Sequence, residues 1–171
     1  MIGVALGVVL SAAVGGLVLV PLVAEHVDVP IIAAGGITDG AGMAAAFSLG
    51  AGGVQMGTRM VSAAESPVHA NWKQAIVDAA ETDTVFLNRF GRPGLRALRT
   101  ELTTRLEHDD QVDLSVMGRI LELYFGGDLE ASIALTGQVA GRIESVRSVA
   151  DIVHDTVHEF REAVNSLQRH R

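Results

Sequence analysis

The sequence predicts an α/β fold whose first half alternates strand and helix and whose second half is mostly helical. Three observations carry this. Residues 31–34 are apolar without polar alternation and read as a strand covered on both faces, and residues 54–60 read as the next strand. A single helix-length segment, residues 40–49, separates them, so strand, helix and strand fit within about 30 residues, as a parallel βαβ unit requires. Aromatics are only 4% of the chain, and Ala, Val, Leu and Gly dominate, which suits close packing of small side chains between helix and sheet.

The elements follow in order. Residues 2–10 are apolar and rich in valine, as in a buried strand, and Gly15-Gly16 ends the run. Residues 17–27 read as a short helix, with Pro21 tolerable only in its first turn. Val29 precedes Pro30 and is pushed out of the α region. Gly35-Gly36 ends the strand at 31–34; Thr38 or Asp39 caps the next helix, and Gly50 closes it. Ser66-Pro67 marks a cap followed by proline at the first helical position. Residues 84–87 suit a short strand, Arg92-Pro93 opens a helix to about 107, and Leu114, Met117, Ile120, Leu121, Tyr124 and Phe125 keep helical spacing. Asp128 caps a further helix interrupted near Thr136-Gly137-Gln138. The clearest element is the last, where Val149, Ile152, Val153, Thr156, Val157, Phe160, Val164 and Leu167 form one apolar stripe.

Composition narrows the function. A net charge of −7 with no basic patch argues against a general nucleic-acid binder. Without cysteine, neither disulfides, thiolate metal sites nor a cysteine nucleophile can form, and a cytoplasmic location is the expectation. Residues 1–24 carry no charged side chain, which raises a membrane reading. The missing cationic flank and the interrupting glycines and Pro21 favour a buried strand and helix instead.

The chemistry concentrates at two glycine-bearing strand ends. A phosphate needs several backbone N–H donors with no side chain in the way, and glycine allows that approach. Ala34-Gly35-Gly36 and Gly57-Thr58 offer it. The loops after the last two strands of a (β/α)8 barrel form a common phosphate site of this kind. The alternative is that these glycines only make turns.

Pro30-Ile-Ile-Ala-Ala-Gly-Gly-Ile-Thr-Asp-Gly40, Leu49-Gly-Ala-Gly-Gly-Val-Gln-Met-Gly-Thr-Arg59 and Glu65-Ser-Pro-Val-His69 together resemble the nitronate monooxygenase family, the 2-nitropropane dioxygenase type. Related flavin-dependent enoyl-[acyl carrier protein] reductases share these motifs. Gly91-Arg-Pro, Arg96-Ala-Leu-Arg99, Gly127-Asp128 and Thr136-Gly-Gln-Val-Ala-Gly-Arg-Ile143 resemble later segments of the same families. The resemblance implies the C-terminal part of an FMN-binding (β/α)8 TIM barrel followed by a mostly helical lid. It implies a partial barrel with the FMN-phosphate site over residues 1–80, a lid segment over 81–145, and a terminal helix over 146–171 packing back on the barrel. It carries FMN binding to Ala34, Gly35, Gly36, Gln55, Met56, Gly57 and Thr58. The implied activity is oxidative denitrification of alkyl nitronates to a carbonyl compound and nitrite; enoyl-thioester reduction is the alternative, and a non-catalytic flavin-binding remnant or partner subunit is a third class.

A whole barrel takes about 250 residues, so the expectation is a C-terminal fragment, a truncated gene product inactive alone, or a chain that a second copy or a complementing chain completes. The families' Gly-Gly-His segment has its counterpart at Ser11-Ala-Ala-Val-Gly-Gly16, which contains no histidine, so no catalytic residue transfers. Among the six histidines, His26 reads as structural and His69 as exposed. His154 and His158, spaced i, i+4, read as a solvated helix face rather than a metal site. Arg89, Arg92, Arg96 and Arg99 fit one helix face, either simply exposed or docking an acidic or phosphate-bearing partner.

Overall fold

The computed structural model describes residues 14–91 and 93–169 and divides the chain into two compact units. One comprises residues up to Met56 together with those from Ala150 onward; the other runs from Gly57 to Val149. The strand expected at residues 2–10 lies outside the described residues.

In the first unit, helix α1 (Gly16–Ala24) leads to strand β1 (Ile32–Ala34), helix α2 (Gly40–Ser48) and strand β2 (Gly53–Gln55). The strands pair in parallel, with Ile32 opposite Gly53, Ala33 opposite Val54 and Ala34 opposite Gln55. This is the βαβ unit read from the sequence. Pro21 lies in the second turn of α1, not the first, and α1 buries none of its residues, so little penalises the missing N–H. Strand β2 is shorter than the strand expected at 54–60 because the chain turns at Met56 and coils into a helix from Thr58. The core here is small: Ala33, Ile37, Ala46 and Ala51, flanked by Val20, Phe47, Val54 and Met56. It lies on one face of the sheet; on the other, Ile32 is 47% exposed and Ala34 and Gln55 are exposed.

Helix α7 (Val149–Arg169) lies over the start of α2. The rings of Phe47 and Phe160 meet edge to face at 5.3 Å. The Gly40 N–H donates to Glu159 Oε2 at 2.9 Å, and a Cβ on Gly40 would stand 2.1 Å from the backbone nitrogen of Phe160. Only glycine permits so close an approach.

The second unit holds helices α3 (Thr58–Val61) and α4 (Ala70–Val77), the antiparallel hairpin of β3 (Thr84–Leu87) and β4 (Leu95–Leu98), then α5 (Glu101–Leu106), a 3-10 helix (Leu114–Arg119), α6 (Ile120–Tyr124) and a second 3-10 helix (Gln138–Arg142). Two apolar clusters fill it. Trp72, Ile76, Leu98 and Leu123 centre one; Val85, Leu87, Ala97 and Ile133 centre the other. Three expectations change. Of the helix expected from Arg92-Pro93 to about 107, residues 95–98 are instead strand β4 and only 101–106 are helical, since Asn88 takes a left-handed φ of 57° and turns the chain back on β3. Helix α4 starts at Ala70, capped by His69 rather than Ser66, because His69 Nδ1 accepts the Asn71 N–H. Residues 128–135 form no helix; they run beside β4, with Leu98 N–H donating to Ala134 O and Thr136 N–H to Arg96 O.

Among the described residues, no helix is long and apolar enough to cross a membrane.

Candidate functional site

The site begins where β1 runs out. Ala34 is the last strand residue, and the chain then passes through Gly35 at φ +96° and Gly36 at φ +78°. Both angles lie in the region that L side chains rarely adopt, so the sequence has glycine twice for a conformational reason. All three residues are exposed, and a Cβ added to either glycine would meet no atom within 4 Å. The turn therefore presents bare backbone to an open space. Beside it lies a hollow of about 200 Å³ lined by Gly35, Gly36, Ile37, Ala46, Leu17 and Val20, among others.

The start of α2 is not the anion site its sequence suggests. Asp39 caps it, its Oδ1 accepting the Gly42 N–H at 2.8 Å, and the Glu159 carboxylate takes the Gly40 N–H. Two carboxylates thus occupy two of the donors that a phosphate would have used, and their charge complements the helix dipole already.

Gln55 ends β2 opposite Ala34 and is exposed, and Met56 is half-buried against the small core. These five residues, Ala34 to Gly36 with Gln55 and Met56, belong to the first unit.

Gly57 and Thr58 open the second unit. Gly57 is exposed and precedes α3, and a Cβ added to it would meet no atom within 4 Å. Thr58 is buried, and its Oγ1 accepts the Gly137 N–H at 2.7 Å. Arg59 follows it but is not an anion-binding group. Its guanidinium is buried and donates to Ser145 O at 2.8 Å; burial, then the neighbouring Arg147, lowers its pKa. Gly137 belongs to a recognisable motif, but sequence reasoning gives it no role, since nothing local announces a partner 79 residues away.

The remaining candidates resolve into scaffolding. In Glu65-Ser-Pro-Val-His69, Glu65 Oε2 accepts the Val149 N–H, and the His69 N–H donates to Tyr124 O at 2.6 Å. His154 and His158 are exposed on α7, their rings stacked at 6.5 Å, beside Asp155 and Glu162. Among the described residues no group of three or more His, Asp or Glu is placed to hold a metal ion. Arg92 lies outside the described residues, and the other three arginines do not share a helix face. Arg96 lies over the Phe86 ring and donates to Thr84 Oγ1, and Arg89 and Arg99 both pair with Glu107.

A family model for nitronate monooxygenase matches residues 3–159. The chain belongs to the nitronate monooxygenase family. It is 38% identical over 104 residues to a protein named "Probable nitronate monooxygenase" from Staphylococcus saprophyticus, the match covering 60% of this chain and 29% of that protein. The structure of FabK from Thermotoga maritima superposes with a TM-score of 0.86 at 39% identity, covering 92% of this chain and 52% of that one. Nitroalkane oxidase from Streptomyces ansochromogenes gives a TM-score of 0.73 at 27% identity, covering 90% and 46%. The chain thus spans about half the length of these solved structures and has the fold of part of a (β/α)8 barrel. The family is one of oxidoreductases.

Proposed function

We propose that this chain supplies the phosphate-binding part of an FMN site in an enzyme that oxidatively denitrifies alkyl nitronates. The observation that carries the reading is the pair of left-handed glycines at the end of β1, which bares the backbone where family membership implies a phosphate. Ala34, Gly35 and Gly36 give backbone donors, and Gln55 and Met56 end the adjacent strand. Gly57 and Thr58, the next two residues of the chain, join the set by the family resemblance. Bound there, FMN would supply the redox chemistry between the nitronate and oxygen. The residues of this chain hold and orient the cofactor by its phosphate; none of those described is assigned to proton transfer.

Activity is proposed to require further strands. A parallel pair with one face bare is not a finished sheet, and Ile32, Ala34 and Gln55 form that face. Further strands of a longer chain, a second copy or a complementing chain would cover it, in a cytoplasmic protein acting on a small molecule.

The cofactor claim is tested by titrating the chain with FMN and following flavin fluorescence. Gly36→Ala should weaken FMN binding about tenfold, because the new side chain drives the backbone out of its left-handed region. Riboflavin, which lacks the phosphate, should bind both proteins alike; an equal loss for both ligands would remove the phosphate from the explanation. In the completed assembly, an alkyl nitronate should drive oxygen uptake with release of nitrite. Oxidation of NAD(P)H on addition of an enoyl thioester would assign the chain to enoyl reduction instead. The nitronate reading is preferred because Arg89, Arg96 and Arg99, three of the arginines that would have greeted an acyl carrier, are already engaged within the hairpin region.

A further inference from the structure

Thr58 and Gly137 are 79 residues apart and meet through one hydrogen bond, the Gly137 N–H donating to Thr58 Oγ1 at 2.7 Å. A threonine hydroxyl has one proton and two lone pairs. Accepting from Gly137 uses a lone pair on that side, so the proton must point elsewhere. An unconstrained hydroxyl turns freely between donating and accepting; this one has its accepting side fixed.

Both partners are held. The backbone of Thr58 is locked into α3, where Ser62 N–H donates to Thr58 O and the neighbouring Arg59 is buried. Gly137 is held by β4. Leu98 N–H donates to Ala134 O, Ala97 bridges Leu135, and Thr136 N–H donates to Arg96 O, so residues 134–136 run as an added strand up to Gly137. The spacing leaves no slack, since a Cβ on Gly137 would stand 3.0 Å from Thr58 Oγ1 and 3.3 Å from Val139 Cγ2.

We propose that Gly137 is a positioning residue for Thr58: its N–H, anchored by β4, fixes the Thr58 hydroxyl as an acceptor on the protein side and thereby commits its proton to a phosphate oxygen of the flavin. The inference rests on the FMN-phosphate reading above. It assigns to the Thr136-Gly137-Gln138 segment a part in cofactor phosphate selection, although Gly137 itself need not touch the ligand.

The test is the ratio of riboflavin to FMN dissociation constants, measured by flavin fluorescence on the whole chain. The wild-type protein should prefer FMN. Thr58→Val, which keeps the shape and removes the hydroxyl, should reduce the preference about tenfold to a hundredfold, the worth of a hydrogen bond to a charged group. Thr58→Ser should restore most of it. Gly137→Ala should reduce the preference too, and combining it with Thr58→Val should add almost nothing, as expected of two residues acting through one contact. A Gly137→Ala protein that melts earlier but keeps the full FMN preference would overturn the proposal while leaving the phosphate reading intact. A wild-type chain with equal affinity for both flavins would overturn both. Should Gly137→Ala not fold, the wild-type Gly137 amide resonance decides: it should move on addition of FMN and stay put with riboflavin, and identical behaviour with the two would sink the idea.

Discussion

At the scale of single residues, Gly40 shows how a position can be fixed by a distant part of the chain. Its missing side chain lets α7 come within contact of α2, and its N–H is spent on Glu159. Gly40→Ala places a carbon 2.1 Å from the Phe160 nitrogen and 2.5 Å from the Glu159 carbonyl carbon. Backbone cannot yield as a side-chain tip can, so the loss should be about 1–3 kcal/mol, read as a lower urea midpoint at unchanged slope. A loss under a few tenths of that range would mean α7 has moved aside. Asp39 was legible in the sequence, because an aspartate before Gly-Ala-Gly at a helix start is a local signal. Glu159 was not: the bond to Gly40 spans 119 residues, and nothing in the spacing of α7 distinguishes that glutamate from its neighbours. The same holds for the site. Gly35 and Gly36 announce themselves, while the Gly137 contact to Thr58 has no sequence signature.

At the scale of elements, the hairpin of β3 and β4 is the instructive misreading. Arg89, Arg96 and Arg99 keep helical spacing, but they follow a chain that reverses at Asn88, where Nδ2 donates to Pro93 O. Residues 95–98 then form β4, with Leu95, Ala97 and Leu98 buried and Arg96 half-buried over Phe86. So short a strand gives too little pattern to outweigh four arginines at steps of three and four. The electrostatics of this element can be tested. Glu107 accepts from Arg99 at 2.8 Å with Arg89 at 3.8 Å, and the Arg99 hydrogen bond holds its carboxyl below the usual carboxylate range. A carboxyl depressed in the folded state stabilises above its unfolded value and ceases to as pH falls through the lower, folded one. Glu107→Gln should therefore cost up to about 1 kcal/mol near neutrality, limited by the exposure of both arginines, and close to nothing at about pH 2. Urea titrations at the two pH values check this; an equal loss at both would point to packing instead of charge.

At the scale of the molecule, the two units differ in what they bury. The first has three alanines and one isoleucine at its core and a sheet bare on one face. The second encloses Trp72, Ile76, Leu123, Val85, Leu87 and Ile133 almost completely. Apolar stabilisation scales with area removed from water, at about 25 cal/mol per Å², and alanine contributes little of it. Local opening should therefore be easiest in the first unit. Hydrogen exchange at neutral pH should release the amides of Ala33 and Val54 well before those of Val85 and Leu98, and the reverse order would contradict the account. The same measurement addresses the proposed completion of the barrel. A chain that adds strands over Ile32, Ala34 and Gln55 removes the bare face from water and should slow exchange at Ala33 and Val54 by an order of magnitude or more, as about 1.4 kcal/mol of added local stability would. Val85 and Leu98, whose clusters are already closed, should be unaffected. Slowing throughout both units would indicate general stabilisation by association rather than a partner seated on that sheet.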